Sequence, residues 1–417
     1  RQERNWGGNH AYSFARFHEP DTLDELISLV GEATRLRVIG SRHCFNDIGD
    51  TDAVAGDLVS LRQLPSHHEV DSERRVVRVS AAASYGELGA GLNAEGWALP
   101  NLASLPHISV GGAVATGTHG SGDRCGNLAS SVVGLEVIRA DGSVVSVNQR
   151  EPTFPGEVIA LGATGVWSHV LLSVEPTYDV AQTVMTGLPW SAALENLDEV
   201  TGAAWSTSLF TSFRGDEVEQ VWLKAKMTEQ SHGGTLFGAQ PAPEPLHMLR
   251  NGDPAACTDQ MGLPGPWHTR WPHFRPEFTP SSGRELQSEY LLPRGNAVEA
   301  LAAMRELGDL MAPVLQVAEL RTVAEDRLWL SGSYETDVIA IHCTWHPDEP
   351  AVRAVLQHVE SALLPLGARP HWGKLFLADA GVLTAAYPRL TDFRELAHRV
   401  DPRGKFHNPY LHRVLGI

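Results

Sequence analysis

The chain has 417 residues, 42% apolar and 20% charged, the composition of a soluble globular protein too long for one simple core. Its formal net charge of −17 excludes a general nucleic-acid surface, which rests on Lys and Arg neutralising phosphates. There is no apolar run of membrane-helix length, no signal-type hydrophobic segment in RQERNWGGNHAYSF, and no C-x-x-C pair among the four cysteines, so a cytoplasmic protein with reduced thiols is expected.

In chain order, Thr22-Leu-Asp-Glu25 predicts a capped helix stopped at Gly31. A strand, RLRVIG, then delivers the turn that carries His43 and Cys44. Taken alone, that turn fits a loop histidine beside a small buried thiol as readily as a ligand anchor. Residues 74–84 read as a strand, and the Ser84-Tyr-Gly-Glu87 box opens a helix running to Gly96. Residues 135–147 predict a hairpin about Asp141-Gly142, and residues 165–176 a further strand.

After Pro176 the pattern changes. Strands are expected at 204–213, 219–227, 286–292, 314–323 and 337–345, with helices at 297–311 and 350–363. Residues 241–280 hold nine of the 26 prolines, which predicts an irregular excursion over the surface. A last helix, Thr391 to Val400, stops at Asp401-Pro402. The expected class is α+β in two domains, with a boundary near 177.

Residues 108–122, ISVGGAVATGTHGSG, contain five glycines and no lysine. Thr118 stands where a Walker loop requires Lys, and the spacing is not G-x-G-x-x-G opening a helix. A Gly/Ser/Thr loop of this kind can hold a pyrophosphate through backbone N–H and hydroxyl groups; a plain turn between strands fits equally well. Further on, Glu319 and Arg321 share one strand face, His342 and Thr344 share another, and His371 and Lys374 sit at a domain junction. Converging, they would form a donor-rich pocket for hydroxyl groups, although a solvated face with an ion pair accounts for the pattern more simply. There is no G-x-S-x-G and no H-E-x-x-H, and no metal site is expected.

The blocks GSRHCFND, LPNLASLPHISVGGAVATGTHGSG, TPSSGRELQSEYLLPR, APVLQVAELRTVAEDRLWLS and RPHWGKLF resemble, in order, the alditol oxidases, flavoproteins of the vanillyl-alcohol-oxidase type. The resemblance runs from about Trp6 to the C-terminus. It implies a flavin domain made from residues 1–176 and 375–417, with a mixed-sheet substrate domain at 177–374. It also implies FAD attached covalently to His43, with contacts at Gly40, Ser41, Arg42, Cys44, Asn46 and Ser104. Further cofactor contacts are implied at Ser109, Gly111, Gly112, Thr116, Gly117, Thr118, His119, Gly120, Val170, Lys374 and Asn408. Substrate positions fall on Ser104, Glu319, Arg321, His342, Thr344 and Lys374, with Lys374, Arg321 and Glu319 as the catalytic set. Two residues depart from the family pattern: Arg42 replaces a common glycine, and Cys44 a common serine. With LPHIS where some relatives carry a second flavin-linking cysteine, a single link is expected.

The implied reaction is oxidation of a terminal CH2OH of a polyol by hydride transfer to flavin N5, with O2 reduced to hydrogen peroxide. The expected partners are a small polyol and O2, with neither nucleic acid nor membrane, acting on a monomer. An aldonolactone oxidoreductase and a catalytically silent flavin or sugar binder are the alternatives.

Overall fold

The computed structural model describes residues 3–228, 236–278 and 284–417. Part of the TPSSG block, residues 279–283, therefore lies outside the described residues.

Three sheets organise the molecule into an α+β fold of two domains. The first is parallel and three-stranded, in the order Arg16–His18, Gly56–Ser60, Arg35–Ile39. Gly56–Ser60 is buried along its whole length, so it has no alternation for a sequence reading to detect. The second sheet is antiparallel, in the order His68–Asp71, Val76–Ser80, Val166–Ser173, Val132–Ile138, Val144–Asn148. The helix Tyr85–Ala94 packs nearby and begins on a true capping box: Glu87 N–H donates to Ser84 Oγ at 3.1 Å, and Ser84 N–H to Glu87 Oε2 at 3.0 Å. At Leu23–Glu32 the box is incomplete, because Glu25 accepts from Asp21 N–H instead of Thr22. That helix also runs through Gly31, and the expected stop there is corrected to Ala33.

The third sheet is the largest. Its central strands run Asp179–Thr186, Gln220–Lys226, Ser206–Thr211, Leu315–Val323, Val338–Trp345, Leu286–Pro293. One face carries Leu320, Ile339, Ile341 and Leu292 against helices Ala297–Glu306 and Glu349–Leu363. Val352, Leu356, Val359 and Leu363 of the second helix are buried there, each contributing about 2 kcal/mol of transfer free energy. The opposite face is polar at its centre and faces the Gly-rich segment.

Of this stretch, residues 241–278 are described and contain only short 3-10 turns and two-residue bridges, as the prolines demand. The expected surface course is corrected, however: Trp267, Trp271, Thr258, Gln260 and His273 are all buried. The indoles supply enough apolar area to draw an irregular segment into the core.

Candidate active site

A cavity of about 440 Å³ separates two walls. One wall is the turn after strand Arg35–Ile39 together with the Gly-rich segment. Gly40 is required there, because a Cβ would lie 2.1 Å from Ser109 Oγ. The Gly-rich segment is not all loop. Val110–Ala115 forms a short helix, and Gly117 turns the chain with φ of +70°.

His43 presents both ring nitrogens buried and without a hydrogen-bond partner. Burial, reinforced by nearby His107, pushes its pKa down to about 4. Trp6 stacks on the imidazole at 4.9 Å between centroids, with planes 21° apart. Arg42 adopts φ of +64° and reaches Glu3 Oε2 at 2.5 Å. Cys44 is packed rather than activated, its thiol pushed up to about 11 by burial. Ser109 Oγ is a second buried and unpartnered polar atom on this wall. Buried groups without partners are costly, so a ligand bonded to the His43 ring and accepting from the hydroxyl would relieve both. Residues with these properties fit FAD.

The second wall is the polar face of the large sheet. Strand parity puts Val317, Glu319 and Arg321 on it from Leu315–Val323, and His342 and Thr344 from Val338–Trp345. A third strand adds Gln287 and Glu289. Glu319 pairs with His342, and His342 with Glu289, so these three residues form one row across the sheet.

Glu289, 1% exposed, is the hub, and the sequence reading missed it. Its Oε2 accepts from Lys374 Nζ at 2.6 Å, its Oε1 is paired with Arg321, and His119 Nε2 lies 3.2 Å away. Burial opposes its charge, but Arg321, Lys374 and His119 prevail and hold the carboxyl well below its usual range. Lys374 Nζ also donates to His342 Nδ1 at 2.8 Å, and His342 Nε2 lies 3.2 Å from Thr344 Oγ1. Burial lowers the Lys374 pKa while Glu289 partly restores it. Burial likewise holds His342 and His371 well below the ordinary histidine value, and Lys374 adds to the effect. Glu319 receives His273 Nε2 at 2.8 Å and stays ionised against burial through Arg321 and His273. The Nε of Arg321 is buried without a hydrogen-bond partner.

Two seams hold the walls in register. Gly122 N–H donates to Thr322 O at 2.9 Å, and Ala324 N–H to Cys125 O at 2.8 Å, tying the Gly-rich segment to the strand of Glu319 and Arg321. Phe45 N–H donates to Gly373 O at 2.7 Å, and Asn46 Nδ2 to Trp372 O and Lys374 O at 2.8 and 2.9 Å, tying the His43 turn to Lys374.

The cavity thus gathers Gly40, Ser41, Arg42, His43 and Cys44 with Ser104, Ser109, Gly111, Gly112, Thr116, Thr118 and His119. Glu319, Arg321, His342, Thr344 and Lys374 line it from the other side. Asn46, Gly117, Gly120, Val170 and Asn408 do not line it. Gly120 packs where a Cβ would lie 2.4 Å from Leu102 O, and Val170 is wholly buried in the second sheet. Asn408 donates to Asp47 O, Ile48 O and Asp50 O behind the His43 turn. His273 was also missed: it lies in the proline-rich excursion, where no periodicity places a side chain. For Glu289 a signal existed, the same strand parity applied to LQSEYLLP.

The chain is similar to known proteins in both sequence and fold. Residues 14–148 match the family model of an FAD binding domain, and residues 281–414 that of D-arabinono-1,4-lactone oxidase. Alditol oxidase of Streptomyces sp. (strain IKD472 / FERM P-14339) is 47% identical over 99% of this chain and 98% of its own length. L-gulono-1,4-lactone dehydrogenase of Mycobacterium tuberculosis is 28% identical, over 99% of this chain and 98% of its own. The cholesterol oxidase of B. sterolicum shares the fold, with a TM-score of 0.79 at 14% identity, covering 99% of this chain and 96% of that one.

Proposed function

The chain belongs to the alditol oxidase family of FAD-linked flavoproteins, and from that premise we propose that it oxidises the terminal CH2OH of an acyclic polyol, of the xylitol or sorbitol class, to the aldehyde. The observation that carries the reading is the row Glu319–His342–Glu289, with Arg321 and Lys374, set across one cavity from the unpartnered His43. A neutral polyhydroxyl chain suits a wall of fixed donors and acceptors, since each group left unpaired by a wrong ligand carries a desolvation cost. Residues 1–176 and 375–417 would hold the cofactor, and residues 177–374 would cap the substrate.

FAD, when bound, supplies the two-electron acceptor and, on reoxidation by O2, hydrogen peroxide. In this reading His43 would carry the covalent link, and the Gly-rich segment would hold the pyrophosphate. Lys374 has three N–H donors, of which Glu289 and His342 take two; the third is directed at the reacting hydroxyl oxygen and stabilises its developing charge. Glu289 keeps Lys374 and Arg321 charged and in place. Glu319 accepts hydroxyl hydrogen bonds, the Arg321 Nε–H donates one, and Ser104, His342 and Thr344 engage the remaining hydroxyls.

None of the helices among the described residues is long and apolar enough to cross a membrane. The four unpaired cysteines suit the cytoplasmic location inferred here.

An aerobic screen with peroxide detection tests the function. Xylitol or sorbitol should release peroxide, while a galactono- or gulonolactone should give little. Turnover of the lactones alone would overturn the assignment, and so would peroxide release with none of them.

A further inference from the structure

Behind Glu319, outside the cavity lining, lies an ammonium that the proposed reaction does not use. Lys224 is 1% exposed on strand Gln220–Lys226. No carboxylate among the described residues is within ion-pair distance of it. Its Nζ donates to Trp271 O at 2.6 Å and Pro272 O at 3.0 Å, and lies 3.1 Å from Nδ1 of His273. An ammonium has three donors and no acceptor, so all three are spent and Nδ1 of His273 accepts. A neutral imidazole that accepts at Nδ1 carries its proton on Nε2, and Nε2 is 2.8 Å from Glu319 Oε1.

The surroundings leave the ring little freedom to do otherwise. Phe210 and Trp222 meet it edge-on at 5.5 and 5.2 Å between centroids. The backbone N–H of His273 donates to Ser104 O at 3.0 Å, so the same short segment also fixes Ser104. Burial and the Lys224 charge push His273 down to about 4, which keeps the ring neutral, while burial brings Lys224 down to about 7. Glu319, Cys257 and Arg270 are the other charged or titratable groups that act on Lys224.

We propose that Lys224 and His273 form a positioning relay: Lys224 fixes the imidazole proton on Nε2, and Nε2–H occupies Oε1 of Glu319, so that Oε2 is left to accept substrate hydroxyl groups. The inference rests on the assignment of Glu319 to polyol binding. Without Lys224, the ring can move its proton to Nδ1 and turn it toward the freed carbonyl of Trp271, whereas Pro272 O still accepts from Thr258 Oγ1. Nε2 then turns a lone pair on Glu319, and the carboxylate must rotate or protonate. Lys224 and His273 touch no reacting atom, so their removal weakens ground state and transition state alike.

The test is Lys224→Met, which keeps the length of the side chain and removes its donors. Loss of a hydrogen bond to a charged group predicts a KM for xylitol raised about tenfold or more, with kcat changed by less than about threefold. In the His273→Gln background an amide N–H faces Glu319 and there is no tautomer to select. There, adding Lys224→Met should raise KM by less than about twofold. An unchanged KM in the single variant, or equal fold-changes in both backgrounds, overturns the relay. A readout independent of turnover is the 15N spectrum of histidine-labelled wild-type protein: the relay requires neutral His273 protonated at Nε2, and protonation at Nδ1 overturns it even if Lys224→Met does not fold. If wild type oxidises no polyol, the proposed function falls, and the tautomer measurement still decides the relay.

Discussion

At His43, burial and the absence of partners make the imidazole a neutral base with both nitrogens unsatisfied. Replacing His43 with Ala should therefore leave a protein that binds flavin without retaining it. Acid-precipitated wild type should stay yellow and the variant should give a colourless pellet. A colourless wild-type pellet would remove the covalent role. The other buried histidines govern acid stability. His273, His342 and His371 have folded pKa values below the unfolded one, so between about pH 6.5 and the folded value the unfolded chain binds the extra proton. Each thus removes about 1.4 kcal/mol of stability per pH unit as pH falls through that window. Glu289 and Glu319 are also shifted down, which for an acid favours the charged form: their stabilisation is complete above the unfolded carboxyl value of about 4.3 and is lost below it. The melting temperature should drop from pH 6.5 to 4.5 and more steeply beneath; a flat profile over the upper interval would show that these histidines titrate freely.

Among the elements, the N-terminal segment acts on the His43 turn from outside. Trp6 N–H donates to Arg42 O at 2.8 Å, Asn5 Nδ2 to Cys44 O at 2.9 Å and Asn9 Nδ2 to Phe45 O at 3.0 Å. This resolves the departure at Arg42: a left-handed residue costs about 1–2 kcal/mol without glycine, and its carbonyl and guanidinium are both tied to this segment. Trp6→Ala should lower stability by about 2 kcal/mol and reduce the fraction of flavin held after acid precipitation. An unchanged fraction would mean that the stacking only covers the ring. Much of the opposite wall was legible in the sequence, because Glu319, Arg321, His342 and Thr344 follow from alternation within single strands. Strand parity alone gives the face of Glu289, but placing it in this wall required knowing that its strand pairs beside Val338–Trp345, a long-range fact. His273 had no local pattern at all.

Across the molecule, the strands that alternate cleanly were readable, while Asp179–Thr186 was not, because buried Gln182 interrupts its apolar face and bonds to Thr258 O. Closure depends on contacts far apart in sequence. Arg37, 4% exposed, donates to Phe406 O, Ile48 O, Leu161 O and Gly162 O. Lys405 Nζ reaches Val30 O, Gly31 O and Ala140 O. Arg37→Met strands the carbonyls of Phe406, Leu161 and Gly162, while Ile48 O keeps its bond from Asn408, and a loss of about 3 kcal/mol or more is expected, with limited proteolysis attacking the C-terminal segment first. Equal protease resistance in the variant would show that the segment is held by its apolar contacts alone.

Those same contacts set the order of events during synthesis. A chain leaving the ribosome exposes the His43 turn and the Gly-rich segment long before Phe406 and Asn408 arrive to close behind them. Until then Arg37 lacks one of its four carbonyls and the His43 turn lacks its backing. Cofactor capture therefore follows synthesis of this segment, and a chain truncated before Phe406 should accumulate as colourless protein.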